Sequence, residues 1–554
     1  MNGLSMRGAA KRVLGRVPLS AEFWQWIHPA TSEIAGGYRV DRLEEALADW
    51  IAAAVAARRT IKLDRPKRVL MISSLSWWLE YATAMGLLLA GMGHTVELAF
   101  LPYRRWTERV GRFDLRRQRA YLRQVLSLTK SLFRIHDMAV TPRCDLPTEL
   151  ARSMQAQSHL DVQYTLQRED LDLGQSSEDF DLYCLRLERN MAAARVAYDL
   201  LRCRRYDVIL VPNGSILEFG AVYRVARHLC VPVVTYEFGE QRERMWLAQN
   251  NEIMLQDTTE LWQARGCEPL TKAENDTLLA LYQARRGGKL YSNFTRQWQA
   301  QEGKGAQAAQ QELDLDPDRP IALLCTNVVG DSLSLGRELF TNGMADWVTR
   351  TVRHFAGHPE TQLVVRVHPG ELLGAGHPSI EIVHAALPEL PSHVVVVPPD
   401  SKINTYDLVE LAHLGLVYTT TIGLEMAMSG VAVVVAGNAH YRGKGFTHDP
   451  RSFEEYLAQV DRLLTNPFGQ RLPRTQVELA WRYAYRFFFE FSFLFPWHLL
   501  SFWDDLAARP LEEVVQPSGR APYLGTIEAL LGEPIDWSRN AARLKVGIEF
   551  EYGN

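Results

Sequence analysis

A repeated alternation of short apolar runs with helical segments constrains the fold of this chain more than any other feature. Between residues 320 and 437 five such runs occur, in PIALLCTNV, TQLVVRVHP, HVVVVPP, LGLVYTT and VAVVVAG. Short, nearly continuous apolar runs are typical of parallel strands that are buried on both faces, and the segments between them have helical spacing. The pattern predicts a doubly wound, Rossmann-like sheet in this part of the chain.

The first half of the chain shows a less regular version of the same alternation. Strands are predicted at Val69–Ile72, Thr95–Phe100, Asp207–Val211 and Pro232–Tyr236. A lead-in helix is predicted near residues 40–60, and long helices within residues 105–200. At 554 residues the chain is too long for a single core, so two domains are expected.

These patterns predict an α/β fold of the GT-B type, with two Rossmann-like domains facing a cleft. An N-terminal helical extension and a C-terminal helical tail flank the two domains. The predicted ranges are 1–62 for the extension, 63–318 for the first domain with a helical insertion and a linker, 319–468 for the second domain, and 469–554 for the tail.

Composition excludes several classes of protein. The net charge of −4 argues against nucleic acid as a partner, since such proteins carry a basic excess. Six dispersed cysteines without a CxxC pair indicate neither a zinc ribbon nor a disulfide scaffold, which favours the cytoplasm. No segment has the length of a signal peptide core or a membrane span. The aromatic stretch Phe487–Trp497 is predicted to be buried or to lie between domains, with peripheral contact at the inner face of the membrane as the alternative.

Candidate phosphate-binding residues follow the strands of the second domain. One strand ends in Arg366 and His368, and another leads into a helix through Thr420 and Thr421. Helix N-termini, hydroxyls and cations all favour phosphate, although simple N-capping would also account for threonines here. The glycine-containing loop after the fifth strand adds Tyr441 and Lys444, and its cations could neutralise a leaving phosphate.

The first domain offers candidates for the acceptor side, at the ends of its strands. Carboxylates there are candidates for a general base, and Glu237 is favoured because it directly ends a strand. The other candidates are Ser74, Glu80, Asn213, Glu218 and Glu240. Two acidic stretches, Asp170–Gly174 and Asp314–Asp318, do not follow strands and are interpreted as solvated turns. No metal or other cofactor is therefore expected.

The run from Leu416 to Asp449 resembles the capsule polysaccharide biosynthesis family, which includes bacterial enzymes that transfer Kdo from a CMP-linked donor. Beside the HP pair at His368, the matching positions are Thr420, Thr421, Gly423, Glu425, Tyr441, Gly443, Gly445, Thr447 and Asp449. The resemblance implies that His368 and the threonines contact the donor phosphate and that Glu425 holds a ribose hydroxyl. It covers residues 320–465 well and the first half only loosely.

The predicted function is transfer of a sugar from a nucleotide-activated donor to a growing surface polysaccharide or a lipid-linked acceptor. CMP-Kdo is one candidate donor, and UDP- or GDP-sugars are others. Two alternatives keep the fold. One is a nucleotide-sugar epimerase or a hydrolase, and the other is a non-catalytic scaffold of a polysaccharide assembly complex.

Overall fold

The computed structural model describes residues 6–28, 39–61, 63–140, 142, 144–175, 177–288, 302–373, 378–466 and 471–538. These residues form two compact units, each built on its own β-sheet. The first unit lies within Met1–Val162, Asp172–Met254 and Phe493–Ile535. The second lies within Gln163–Leu171, Leu255–Ser492 and Asp536–Asn554. This confirms the predicted α/β fold with two Rossmann-like domains, the GT-B class.

The strands alternate with helices along most of the chain. The strands are β1 Arg68–Ser74, β2 Thr95–Leu101, β3 Phe133–Asp137, β4 Val208–Pro212, β5 Val233–Phe238, β6 Arg244–Gln249, β7 Ile321–Cys325, β8 Gln362–Arg366, β9 Val394–Val397, β10 Leu414–Val417, β11 Ala432–Val435 and β12 Ser492–Leu494. The first sheet has the order β12-β6-β5-β4-β1-β2-β3, and the second has the order β11-β10-β7-β8-β9.

The α-helices of the described residues number twenty-one. Up to the middle of the chain they are α1 Met6–Leu14, α2 Ser20–Ile27, α3 Asp41–Thr60, α4 Ser76–Gly91, α5 Arg112–Leu126, α6 Thr148–Leu166, α7 Glu178–Cys203, α8 Leu217–His228, α9 Thr259–Arg265 and α10 Lys272–Arg286. The remainder are α11 Ala306–Glu312, α12 Met344–Ala356, α13 Pro378–Ala386, α14 Thr405–Leu411, α15 Ile422–Met428, α16 Phe453–Leu464, α17 Arg474–Tyr485, α18 Phe502–Ala508, α19 Leu511–Val514, α20 Pro517–Arg520 and α21 Leu524–Leu530.

Both sheets are parallel around a central strand. In the first sheet β1 pairs in parallel with β2 and β4, and β5 pairs in antiparallel with β6. In the second sheet β7 pairs in parallel with both β8 and β10. Chain order therefore reverses beside β1 and beside β7. Ligands of doubly wound sheets bind at such reversals, outside the carboxyl ends of the strands.

The predicted lead-in helix and long helices are confirmed, as α3, α5, α6 and α7. Three strands were not predicted. Among these, β3 lies within the range expected to be helical, and β6 and β12 extend the first sheet on the other side. None of the six cysteines forms a disulfide, as the sequence predicted.

The units divide the chain differently from the predicted domain ranges. The second unit begins at Leu255 rather than near residue 319, because α10 packs on the second unit through ion pairs and hydrogen bonds such as that of the Tyr282 and Ser429 hydroxyls, 2.5 Å apart. The predicted tail is shared, since its part up to Ser492 belongs to the second unit and Phe493–Ile535 to the first. Residues 289–301, in the predicted linker, lie outside the described residues.

The aromatic stretch Phe487–Trp497 is buried. Its six phenylalanines and Trp497 are all at most 5% exposed, and Arg486–Glu490 forms one turn of π-helix. The prediction of burial is confirmed. Leu494 is the one apolar residue of the stretch that is only half-buried, so the stretch offers little apolar surface to a membrane. Among the described helices, none combines the length and apolar character needed to cross a bilayer.

Candidate functional site

A pocket of about 280 Å³ lies at the carboxyl edge of the second sheet, beside the central strand β7. Residues that follow four strands line it: Thr326 after β7, Arg366 and His368 at the end of β8, Asp400 after β9, and Thr420 with Thr421 after β10. These strands are parallel neighbours, so their carboxyl ends meet at one edge. Four of the predicted phosphate-binding residues are brought together here.

Arg366 is the strongest indication of what the pocket binds. Its side chain is only 5% exposed, and its guanidinium donates to the Pro398 carbonyl at 2.5 Å and to the Thr405 hydroxyl at 3.3 Å. No carboxylate of the described residues lies within 4.0 Å of it. Burial lowers the pKa of Arg366 to about 10. A buried cation without a paired carboxylate is costly, and an anion entering the pocket would offset that cost.

Two hydrogen bonds hold His368, one at its backbone amide and one at its ring. Its amide donates to the Thr326 hydroxyl at 3.0 Å, and its Nδ1 accepts from the Gly370 amide at 3.0 Å. A neutral ring that accepts at Nδ1 carries its proton on Nε2. His368 can therefore act as a hydrogen-bond donor from Nε2.

Thr420 and Thr421 do not serve as helix caps. Thr421 occupies the N-cap position of α15, but its side chain makes no capping hydrogen bond. Within the described part of the chain, neither hydroxyl is hydrogen-bonded to a protein group, and both residues are half-buried at the pocket wall. The N-capping alternative is thus not what the structure shows, and both hydroxyls are available to a ligand.

Glu425, also at the pocket wall, belongs to a buried polar cluster. Its Oε1 lies 2.5 Å from Nε of Arg285 and accepts from the Tyr406 hydroxyl at 2.9 Å. All three residues line the pocket, and Glu425 and Arg285 are at most 4% exposed. Arg285 and Tyr406 were not predicted, and only the basic pair at the end of α10 hinted at Arg285.

Tyr441 and Lys444 are not among the residues that line the pocket. Tyr441 is fully buried, and its hydroxyl donates to the Thr420 carbonyl at 2.8 Å. A Cβ on Gly423 would lie 2.4 Å from that hydroxyl oxygen, so these two motif positions are a packing pair. Lys444 is half-buried, and this burial lowers its pKa. Tyr441 therefore stabilises the turn that contains Thr420 and Thr421. Its burial outside the pocket argues against direct contact with a phosphate.

The loop that contains these two residues holds its own shape. Asp449 accepts from the Gly443 amide at 2.7 Å and from the Thr447 hydroxyl at 2.8 Å. Gly443 and Gly445 have φ values of +73° and +91°, which favour glycine. These matching positions are explained by loop geometry.

In the first unit the structure brings together Asn213 and Glu237. Asn213 Nδ2 donates to Glu237 Oε2 at 2.8 Å, and the Phe238 amide donates to Oε1 at 3.1 Å. Asn213 has a φ of +58°, and the adjacent Gly214 packs so closely on Thr235 that a Cβ would lie 2.5 Å from it. Strained backbone conformations of this kind are frequent at functional sites. Ser74 ends the neighbouring strand β1 and is also buried.

The carboxylates of Glu80 and Glu218 are bound to other side chains of the first unit. Glu80 Oε2 accepts from the Trp503 indole at 2.9 Å. Glu218 is buried, and its Oε1 lies 3.1 Å from Arg186, whose guanidinium also pairs with Asp161 at 3.3 Å. The positive charge of Arg186 holds the pKa of Glu218 below its usual value despite burial. Glu218 is thus a member of a core ion-pair network, which argues against its role on the acceptor side.

The two acidic stretches are exposed turns, as predicted. Asp172 accepts from the Gly174 amide at 2.9 Å, and Asp316 accepts from the Asp318 amide at 2.9 Å. These are local Asx turns. Neither stretch contributes a residue to the pocket.

Comparison with known proteins identifies the second unit. Residues 247–477 match the model of the family described as capsule polysaccharide biosynthesis protein. The chain is thus similar to that family over less than half of its length. The match includes every residue named at the pocket wall, whereas most of the first unit lies outside it. A comparison with curated protein sequences gave no match.

Several solved structures resemble the chain at low identity. Thermosulfurimonas dismutans KpsC, a beta Kdo 2,4 transferase, is 19% identical over 50% of this chain and 79% of its own, with a TM-score of 0.33. The beta Kdo 2,7 transferase of the same KpsC is 15% identical over 52% of this chain and 78% of its own, with a TM-score of 0.30. The UDP-GlcNAc 2-epimerase of Neisseria meningitidis is 11% identical over 76% and 99%, with a TM-score of 0.25.

Proposed function

We propose that this chain is a glycosyltransferase that moves a sugar from a nucleotide-activated donor to a growing capsular or other surface polysaccharide, or to a lipid-linked acceptor. The observation that carries the proposal is Arg366, a buried cation without a carboxylate partner among the described residues, in a pocket with two unbonded threonine hydroxyls. This combination suits a phosphate. The match of residues 247–477 to the capsule polysaccharide biosynthesis family supports a polysaccharide as the product.

In the proposed reaction the bond between the anomeric carbon and the phosphate oxygen breaks, and the acceptor oxygen bonds to that carbon. Arg366 and Nε2 of His368 stabilise the negative charge that the departing phosphate gains, and Thr420 and Thr421 bind its oxygens. Glu237, in the first unit, stays the sequence-based candidate for the base that takes the acceptor proton, and two hydrogen bonds orient its carboxylate. CMP-Kdo is the donor that the family resemblance suggests.

We also propose that the phosphate is neutralised by side chains rather than by a metal. Of the two carboxylates at the pocket wall, Glu425 is already paired with Arg285. That leaves Asp400, and a divalent cation bound by oxygen usually needs more carboxylate ligands than one.

The test of the proposal is a panel of CMP, CDP, UDP, GDP and ADP, in calorimetry and thermal-shift experiments with the full chain. One nucleotide is expected to bind saturably and to raise the unfolding temperature, since a ligand that binds only the native state stabilises it. If the pocket binds no nucleotide, the scaffold alternative is favoured. Binding with turnover of the nucleotide sugar in the absence of any acceptor would instead indicate an epimerase or a hydrolase.

His368→Ala is expected to weaken binding of that nucleotide by about tenfold to a hundredfold, because it removes one hydrogen bond to a charged oxygen. His413→Ala is a matched control, since His413 Nδ1 also accepts a backbone amide, that of Ile321 at 3.1 Å, but His413 does not line the pocket. Calorimetric titration of both variants is the measurement. Equal affinity in His368→Ala and the unmodified chain would remove His368 from the site.

A further inference from the structure

Exposed apolar side chains are concentrated at one place in the described part of the chain. Of the nineteen large hydrophobic residues that are exposed there, eight lie between Val13 and Ile27. Leu19 is 72% exposed, Phe23 58% and Trp26 75%. We call the exposed apolar residues of Val13–Ile27 the N-terminal patch. Patches this dense on a protein surface usually mark an interaction site.

The segment that carries the patch is anchored by its opposite side. Ala21 and Gln25 are buried, and α1 and α2 pack against α5. Lys11 pairs with Asp114 at 3.0 Å, and Arg116 forms a two-point ion pair with Glu22 and donates to the Val17 carbonyl at 2.7 Å. The patch is thus the outward face of a docked helical pair, which the anchoring contacts hold in a defined orientation.

Positive charge accompanies the patch. Arg12 and Arg16 are exposed within the same helical pair. Arg112, the first residue of α5 beneath the pair, is exposed as well. These three arginines form no ion pair with the described residues, whereas most other arginines of the segment 104–123 are ion-paired with Glu22, Glu108, Asp137 or Glu188. The positive charge beside the patch is therefore that of Arg12, Arg16 and Arg112.

We propose that the N-terminal patch docks this protein on the surface of an anionic lipid bilayer. Tryptophan and phenylalanine beside arginine are the side chains that insert at the boundary between headgroups and acyl chains, where the rings are buried and the cations meet lipid phosphates. A protein partner would be expected to cover an apolar centre with a polar rim, but here the cations lie among the apolar residues. The proposal does not depend on the proposed glycosyl transfer.

The experiment is co-sedimentation of the full chain with vesicles of phosphatidylglycerol and phosphatidylethanolamine, with pure phosphatidylcholine vesicles for comparison. The unmodified chain is expected to sediment with the anionic vesicles, and Phe23→Ser combined with Trp26→Ser to weaken this partitioning by at least about tenfold. Arg12→Glu combined with Arg16→Glu is expected to abolish the preference for anionic lipid. Leu500→Ser is the matched control, because Leu500 is exposed to the same 58% as Phe23 but lies outside the patch.

Three results would overturn the proposal. The first is that the unmodified chain stays in solution with anionic vesicles, and the second is that the Phe23/Trp26 variant sediments with them as the unmodified chain does. The third is self-association in analytical ultracentrifugation that the Phe23/Trp26 variant loses while vesicle binding is unaffected, which would assign the patch to a second copy of the chain. An unchanged unfolding temperature of each variant shows that the effects come from the surface.

Discussion

Arg366→Met is expected to lower the affinity for the donor nucleotide by about two to three orders of magnitude. Removing one member of a buried, charge-assisted pair typically costs about 2–5 kcal/mol of binding free energy, and the phosphate would lose the pocket's one cation that has no carboxylate partner within the described residues. Lysine at this position should restore only part of the affinity, because an ammonium group lacks the planar pair of donors that a guanidinium presents to phosphate.

The same substitution is expected to leave the stability of the ligand-free protein unchanged or slightly higher. The pKa of Arg366 is lowered to about 10 by burial, so the folded state disfavours its charged form. Methionine removes that unfavourable charge at the cost of the hydrogen bonds to Pro398 and Thr405. Lost binding without lost stability is typical of a residue retained for function.

Arg442→Met provides the control. Burial also lowers the pKa of Arg442, and its guanidinium donates to the carbonyls of Val435, at 2.6 Å, and of Pro450, but it does not line the pocket. This variant should keep nucleotide binding, and its change in stability shows what the loss of an arginine with two such hydrogen bonds costs away from the pocket. The measurements are calorimetric titration and denaturant unfolding of both variants. If Arg366→Met binds nucleotide as the unmodified chain does, the pocket is not the phosphate site.

The pocket residues that lie at the ends of strands could be predicted from the sequence. Arg366, His368, Thr420 and Thr421 directly follow apolar runs, and the carboxyl ends of parallel strands share one edge of a sheet. The order of the runs along the chain is therefore enough to bring these residues together. The same reasoning placed Asn213 and Glu237 at neighbouring strand ends of the first sheet.

Predictions from motif positions were less successful because a recurring residue can support a site without touching the ligand. Tyr441 matches the family motif, yet it packs under Gly423 and hydrogen-bonds to the Thr420 backbone. Its distance from the pocket depends on how the loop after β11 folds back on the threonine turn. That path is a tertiary property which the spacing of the motif does not contain.

Arg285 is a pocket residue that the sequence did not predict. It lies before the predicted domain boundary, at the end of a helix whose basic pair is typical of a solvated terminus. Its role arises because α10 packs on the second unit, which brings Arg285 to Glu425. Its neighbour Arg286 is exposed and pairs with Glu410, so the two arginines could not be distinguished without the docking of the helix.

Glu425→Leu is expected to reduce the free energy of unfolding by about 3–5 kcal/mol, because it leaves Arg285 buried without its carboxylate. Combining it with Arg285→Met should recover most of this loss, since a pair of apolar residues can replace a buried ion pair at little cost. Glu410→Leu is the control. It breaks the exposed pair with Arg286, whose side chains are 41% and 57% exposed, and should cost less than about 1 kcal/mol.

The double variant also separates the two roles considered for Glu425. If Glu425 holds a ribose hydroxyl, Arg285→Met combined with Glu425→Leu should bind the nucleotide about tenfold more weakly and inorganic diphosphate as the unmodified chain does, because one hydrogen bond to the nucleoside is lost while the phosphate-binding residues are unchanged. Equal losses for both ligands would mean that the Arg285–Glu425 pair shapes the phosphate site itself. Undiminished affinity for both ligands would mean that Glu425 does not bind the nucleotide. It would then only stabilise the fold, through its contacts with Arg285 and Tyr406. Calorimetric titration with the two ligands distinguishes these outcomes, and the recovery of stability in the double variant ensures that a folded protein is compared.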